Sequence, residues 1–213
     1  MADIYREQGN WQKFLENSEF SLNWIDQNLE NKKLNTKSLL GGKAWYLVRT
    51  GVGLNKIGKK QAGDLKVEEG LALYRQLFYE TKNDGENIFY ASEMLEFVSE
   101  FYVETKQTEK AVELWQDFAD AVKPFAAKNP DDTTSTGYLA YAFERIGDIW
   151  SKYRTDSKTH VETDPARLRQ ALSNYQKSFE NRQKILQSEP TNQTQINLEK
   201  AISLKISQIK QRL

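Results

Sequence analysis

The chain of 213 residues predicts an all-α fold, an antiparallel helix-pair array of about eight to nine helices, and three observations carry that expectation. Apolar residues recur at spacings of three and four along most of the chain, the period of a helix buried along one face. Turn and cap signals punctuate the pattern at Asn83-Asp84-Gly85, Asn129-Pro130-Asp131-Asp132, Asp164-Pro165 and Glu189-Pro190-Thr191-Asn192. Small residues, Gly51, Gly70 and Gly147 among them, stand at stripe positions where a larger side chain would hold a partner helix away.

Composition sets the outer limits. With 38% hydrophobic and 12% aromatic residues the chain can bury a core, either as one domain or as small units sharing a continuous one. Thirty basic and thirty acidic residues balance to zero, which argues against a dedicated nucleic-acid binder. The absence of cysteine excludes thiolate metal sites, cysteine nucleophiles and disulfides together, and fits a reducing cytoplasm. Met1 to Glu7 lacks a basic start followed by an apolar core, and no stretch approaches the roughly 20 apolar residues of a membrane span. The expectation is a soluble, unprocessed, cytoplasmic chain with no membrane contact.

In chain order, Asp3 to Lys32 sets Tyr5, Trp11, Leu15, Phe20, Leu22, Trp24, Ile25 and Leu29 among charged residues. That predicts one helix, or two broken near Asn17-Ser18 with Ser18 as the cap. After the polar stretch Asn31 to Ser38, the residues Leu39, Leu40, Ala44, Leu47, Val48, Gly51 and Leu54 predict a helix reaching Gly58. Each glycine there costs about 1 kcal/mol relative to alanine, offset by close packing or else expressed as fraying. Lys59 to Lys66 reads as a basic connector, and Val67 to Lys82 as the partner helix, with Gly70, Tyr74, Leu77 and Phe78 on its stripe. The next pair is Asn87 to Lys106, with Leu95, Val98, Ser99 and Tyr102, and Thr108 to about Asn129, with Ala111, Trp115 and Phe118. Pro124 should kink that second helix or end it early. Tyr138 to Asn192 holds a pair with Phe143, Ile146, Gly147 and Trp150 in its first helix and Ala171, Tyr175, Phe179 and Leu186 in its second, joined by the long connector Tyr153 to Asp164. In Thr191 to Leu213 the stripe Leu198, Ile202, Ile206, Ile209, Leu213 either covers the open end of the array or pairs with a second chain. The organisation expected is a single helical-repeat domain over 1–213, made of a helical flank over 1–37, three helix pairs over 38–192 and a capping helix over 193–213, with Trp115, Tyr102, Phe143, Trp150, Tyr175 and Phe179 buried.

Large, small, large in one helix, then alanine four residues before an aromatic and a proline at the exit, is the order in Tyr138 to Asn192. Its second half recurs at Ala111 to Phe118, and the whole resembles the tetratricopeptide (TPR) repeat, a helix-turn-helix unit of roughly 34 residues. The resemblance spans Leu40 to Asn192 and departs from the pattern at Ser99, at Gly70 and in two long connectors within pairs. It implies an α-solenoid in which the first helix of each pair lines a groove. The positions so placed are Trp45, Val48, Val52, Asn55 and Lys56, then Glu93, Glu96, Glu100 and Glu104, then Tyr141, Glu144, Asp148, Ser151 and Lys152. The four glutamates share one helix face, either a solvated surface or an acidic patch for a basic segment.

Catalytic chemistry finds little support. His160, the single histidine, sits in a charged connector, where a dyad with Glu162 would lack a rigid setting. The glycines of Thr50 to Lys60 lack the Gly-Lys-Ser/Thr ending and the preceding strand of a phosphate loop. The expectation is therefore a non-catalytic adaptor without cofactor or metal, whose partner is another protein or peptide carrying a basic or amphipathic segment. The alternative is a structural or regulatory subunit, monomeric or homodimeric, docking through its C-terminal helix.

Overall fold

The computed structural model describes residues 2–31, 34–80, 85–128, 132–151 and 164–213, with side chains for all of these but 2, 78–80 and 85–91. The described residues form nine helices and no strand, the all-α array expected: α1 Ala2–Glu7, α2 Trp11–Asn28, α3 Thr36–Lys56, α4 Lys60–Glu80, α5 Gly85–Glu104, α6 Thr108–Lys128, α7 Thr133–Ser151, α8 Pro165–Ser188 and α9 Gln193–Arg212. The chain divides into two compact units, residues 1–94 and 95–213. Within each, helices adjacent in sequence pack on one another, α1 to α4 in the first and α6 to α9 in the second. The turn at Asn83-Asp84, the end at Asn129 to Asp131, Lys152 and the connector with His160 lie outside the described residues.

In the first unit the N-terminal stretch is two helices, but the break is not at Asn17-Ser18. It falls at Gly9, whose φ of 67° suits a residue without a side chain, and Asn10 then caps α2 by accepting from the Lys13 amide at 3.2 Å. Ser18 is buried inside α2, where its Oγ donates to the Phe14 carbonyl of the preceding turn at 2.8 Å and leaves the helix unbroken. Asn35 caps α3 in the same manner as Asn10.

The expected connector from Lys59 to Lys66 is also corrected, because α4 begins at Lys60 and only 57–59 separate it from α3. Gly58, with a φ of 89°, reverses the chain in that short space. Lys59, Lys60 and Gln61 are the solvent side of the turn and first helical residues, which is why the stretch reads as polar linker. A Cβ added to Gly51 would lie 2.6 Å from the Gly63 carbonyl oxygen, and one added to Gly70 2.7 Å from that of Ala44. Position 51 faces 63 while 44 faces 70, so the two helices run antiparallel with backbones nearly touching. Gly51 and Gly53 are buried within α3, and the fraying alternative is set aside.

In the second unit Trp115 is fully buried on α6 and meets Phe118 and the α7 residue Tyr141 edge to face, with ring centroids 5.8 and 5.5 Å apart. Pro124 does not end α6, which continues to Lys128. Both Pro124 and Asp120, whose carbonyl loses its helical donor, are exposed, so water can serve that acceptor. Tyr175 of α8 lies against Gly147 of α7, where an added Cβ would stand 2.6 Å from the ring. Asp164 caps α8 through the Ala166 amide at 2.9 Å with Pro165 in the first turn, as expected. Tyr102 and Tyr175 are buried, but Phe143, Trp150 and Phe179 are only half-buried. Trp150 and Phe179 pack at the rim of the α8–α9 cluster, and the Lys177 ammonium lies over the Phe143 ring. The α9 stripe turns inward: Ile202 and Ile209 are buried with Leu168, Ala171 and Tyr175, and Ile206 packs beside them, whereas Leu213 is exposed.

Candidate functional site

A network of charged side chains joins α5, α7, α8 and α9 within the second unit. On α7, Glu144, Arg145 and Asp148 share one side of the helix, because positions three and four apart are surface neighbours. The Arg145 guanidinium places Nε 2.9 Å and Nη2 3.0 Å from the two carboxylate oxygens of Glu96 on α5, and its Nη1 3.0 Å from Asp148. The Tyr141 hydroxyl donates to the same Glu96 carboxylate. From α9, the Lys205 ammonium reaches Asp148 at 2.6 Å and Glu144 at 2.9 Å. From α8, Arg182 donates to Glu144 at 2.7 Å and to the Gln195 side chain at 3.2 Å. The Tyr175 hydroxyl donates to Asp148 at 2.8 Å and lies 2.9 Å from the Ser151 hydroxyl.

Three carboxylates, Glu96, Glu144 and Asp148, thus balance three cations, Arg145, Arg182 and Lys205. Burial pushes the Glu96 and Asp148 carboxyls above their ordinary values, against the opposing pull of Arg145 on the first and of Lys205 and Arg145 on the second. Burial also pushes Glu144 up, but Lys205 and Arg182 together outweigh it and hold that carboxyl low. Lys205 is held above the usual lysine value by Asp148 and Glu144 despite its burial. Burial and the neighbouring carboxylates raise both Tyr141 and Tyr175, so both hydroxyls stay protonated as donors. The network clamps α5, α7 and α9 to one another, since each carboxylate already has charged partners. Among the described residues no cluster of His, Cys, Asp or Glu is arranged to hold a metal ion.

The positions expected to line a groove fall into three groups. Val48 and Val52 are core residues of the first unit, and this corrects their placement: both lie on the side of α3 that packs inward, Val48 against Gly70. Trp45 is half-buried over the Arg49 guanidinium, and Asn55 donates to Asp64 of α4. Glu96, Tyr141, Glu144, Asp148 and Ser151 are brought together, but as members of the internal network. Glu93, Glu100, Glu104 and Lys56 are exposed.

The residues that the expectation missed are the cations. Arg182 continues the α8 stripe Ala171, Tyr175, Ser178, and Lys205 stands between Ile202 and Ile209 on α9. A cation on an apolar stripe was the available signal, because a buried charge requires an opposite partner. No helix of the described residues is long and apolar enough to cross a membrane. Comparison with protein-family models, curated proteins and solved structures finds no match.

Proposed function

We propose that the chain is a TPR-like, non-catalytic cytoplasmic adaptor that holds a basic or amphipathic segment of another protein on the face formed by α5 and α7. The observation that carries this reading is the lateral clamp of Arg145 on Glu96. It links the first helices of two successive pairs through one guanidinium and one carboxylate, which supports a peptide groove between them. Next to this clamp α5 keeps Glu100 and Glu104 exposed, one and two turns beyond Glu96. Such carboxylates attract cations over about 8 Å at physiological ionic strength, so binding should weaken as salt rises.

The test is the affinity of a fluorescent, lysine-rich amphipathic peptide for wild type and for the Glu100→Gln/Glu104→Gln variant at two salt concentrations. Glu96 is left in place because its loss would unlatch α7. Weaker binding and a shallower salt dependence in the variant are expected. Equal affinity with equal salt dependence would show that the glutamates are a solvated face only.

A further inference from the structure

Two helix faces near opposite ends of the sequence expose large apolar side chains. On α2, Glu16, Phe20 and Trp24 follow at intervals of four and form one ridge, with Phe20 74% and Trp24 49% exposed. This ridge faces away from Leu15, Leu22 and Ile25, which are buried. On α9, Lys200, Leu204, Gln208 and Arg212 keep the same interval, and Leu204 is 57% exposed on the side opposite buried Ile202 and Ile209. The charges around the ridges are opposite in sign. Helix α2 carries Glu16 and Glu19, with Asp26 paired to Lys43, against Lys13, whereas α9 carries Lys200, Lys210 and Arg212 against Glu199, its Lys205 being turned inward to Asp148 and Glu144.

We infer that the two ridges are the two halves of one contact, so that the α2 face of one molecule docks on the α9 face of a second copy. Ridges inclined along positions four apart interdigitate when two helices pack. Here the aromatic pair Phe20 and Trp24 closes over Leu204 and the adjoining exposed Ala201. With the two helices parallel, Glu16 and Glu19 then approach Lys200, a pairing that a like-with-like contact of α2 on α2 or α9 on α9 would replace by repulsion. The occupant is therefore a second copy joined head to tail through unlike faces, a heterologous contact that leaves one free ridge at each end of the dimer. The acidic face of α5 takes no part, so this contact stands or falls separately from peptide binding.

Sedimentation velocity over a range of concentrations tests it, using Phe20→Glu to spoil the first ridge and Leu204→Glu to spoil the second. Both side chains are more than half exposed, and circular dichroism checks that helix content is retained; Trp24→Ser is the second variant of the first ridge. Wild type should gain mass with concentration beyond a dimer, and each single variant should associate about tenfold more weakly or worse. An equimolar mixture of Phe20→Glu and Leu204→Glu should recover a dimer that grows no further, because each molecule retains the ridge that the other has lost. A wild type that stays monomeric throughout overturns the inference. So does a dimer abolished by one variant, untouched by the other and not restored by mixing, which would mark a symmetric contact.

Discussion

Replacing Gly51 by alanine tests the tightest seam in the first unit. The new methyl would stand 2.6 Å from the Gly63 carbonyl oxygen, 2.7 Å from the Val67 nitrogen and 2.7 Å from Val67 Cγ2, well inside the roughly 3.5 Å of an unstrained contact. Two of these atoms are backbone, so no side-chain rotation relieves the clash and α3 must move off α4. Overpacking of this kind costs about 1–3 kcal/mol, and the upper end applies where backbone must shift. Alanine returns about 1 kcal/mol of helix propensity, which leaves a net loss of about 2 kcal/mol. Gly41, on the same helix and exposed, has no atom within 4 Å of an added Cβ, so Gly41→Ala should gain up to about 1 kcal/mol. The two variants should therefore differ by about 3 kcal/mol in urea unfolding followed by circular dichroism, a large share of an ordinary domain's 5–15 kcal/mol, roughly speaking. If Gly51→Ala were as stable as Gly41→Ala, the backbones would not be in contact and the pairing of 51 with 63 would be wrong.

Two further outcomes follow from the second unit. Trp115→Ala should cost about 3–5 kcal/mol in denaturant unfolding, because it empties a fully buried site between Phe118 and Tyr141; a loss below about 1 kcal/mol would contradict that burial. The pH dependence separates the carboxylates. Glu96 and Asp148 are raised in the folded state, so the native protein binds their protons more tightly than the unfolded chain, and protonation adds stability as pH falls from neutral toward the ordinary values of 4.5 and 3.8. Glu144 is lowered, so its contribution is present above 4.5 and is lost as pH falls through its depressed value. Glu96→Gln/Asp148→Asn removes both of these titrating groups, and with them ion pairs of Arg145 and Lys205, so the quantity compared is the change of stability with pH and not its level. Wild type should therefore gain on this variant as pH falls from neutral to 4.5, and a constant gap between the two would refute the assigned directions.

The helices were legible because their signals are local. Asp164-Pro165 names the start of α8 within two residues, and the small-against-large order of Gly147 and Tyr175 describes a contact that the fold does contain. The errors arose where two local signals have the same appearance. A solvated helical turn and a linker are both polar, so Lys59 to Lys66 passed for a connector when it is largely the start of α4. Ser18 has the chemistry of a cap, but a preceding carbonyl within reach allows the same hydroxyl to bond backwards inside a helix. The site was less legible still. The four glutamates of α5 do share a stripe, but whether one is solvated depends on residues elsewhere in the chain. Arg145 lies 49 positions from Glu96, and Lys205 lies 61 from Glu144. Helical periodicity places Glu96 on a face and is silent about what covers it.

The buried cations also bear on how the helices of the second unit find their neighbours. Apolar stripes of Leu, Ile and aromatic residues are chemically similar from helix to helix, so burial alone favours many pairings almost equally. A cation within the stripe removes that tolerance. If α9 packed on α8 one turn out of register, Lys205 would leave Asp148 and Glu144, and Arg182 would lose Gln195, while each stayed shielded from water. Breaking a buried pair costs about 3–5 kcal/mol, which is added to whatever the slipped aliphatic side chains lose. In the first unit Arg49 is buried on α3 with the Phe14 and Trp45 rings beside it, and its Nη1 lies 3.0 Å from the carboxylate of Asp3 on α1, which is itself exposed, so this pair holds register less firmly. In the second unit the apolar residues supply the attraction between helices, and the paired buried cations penalise a slipped register.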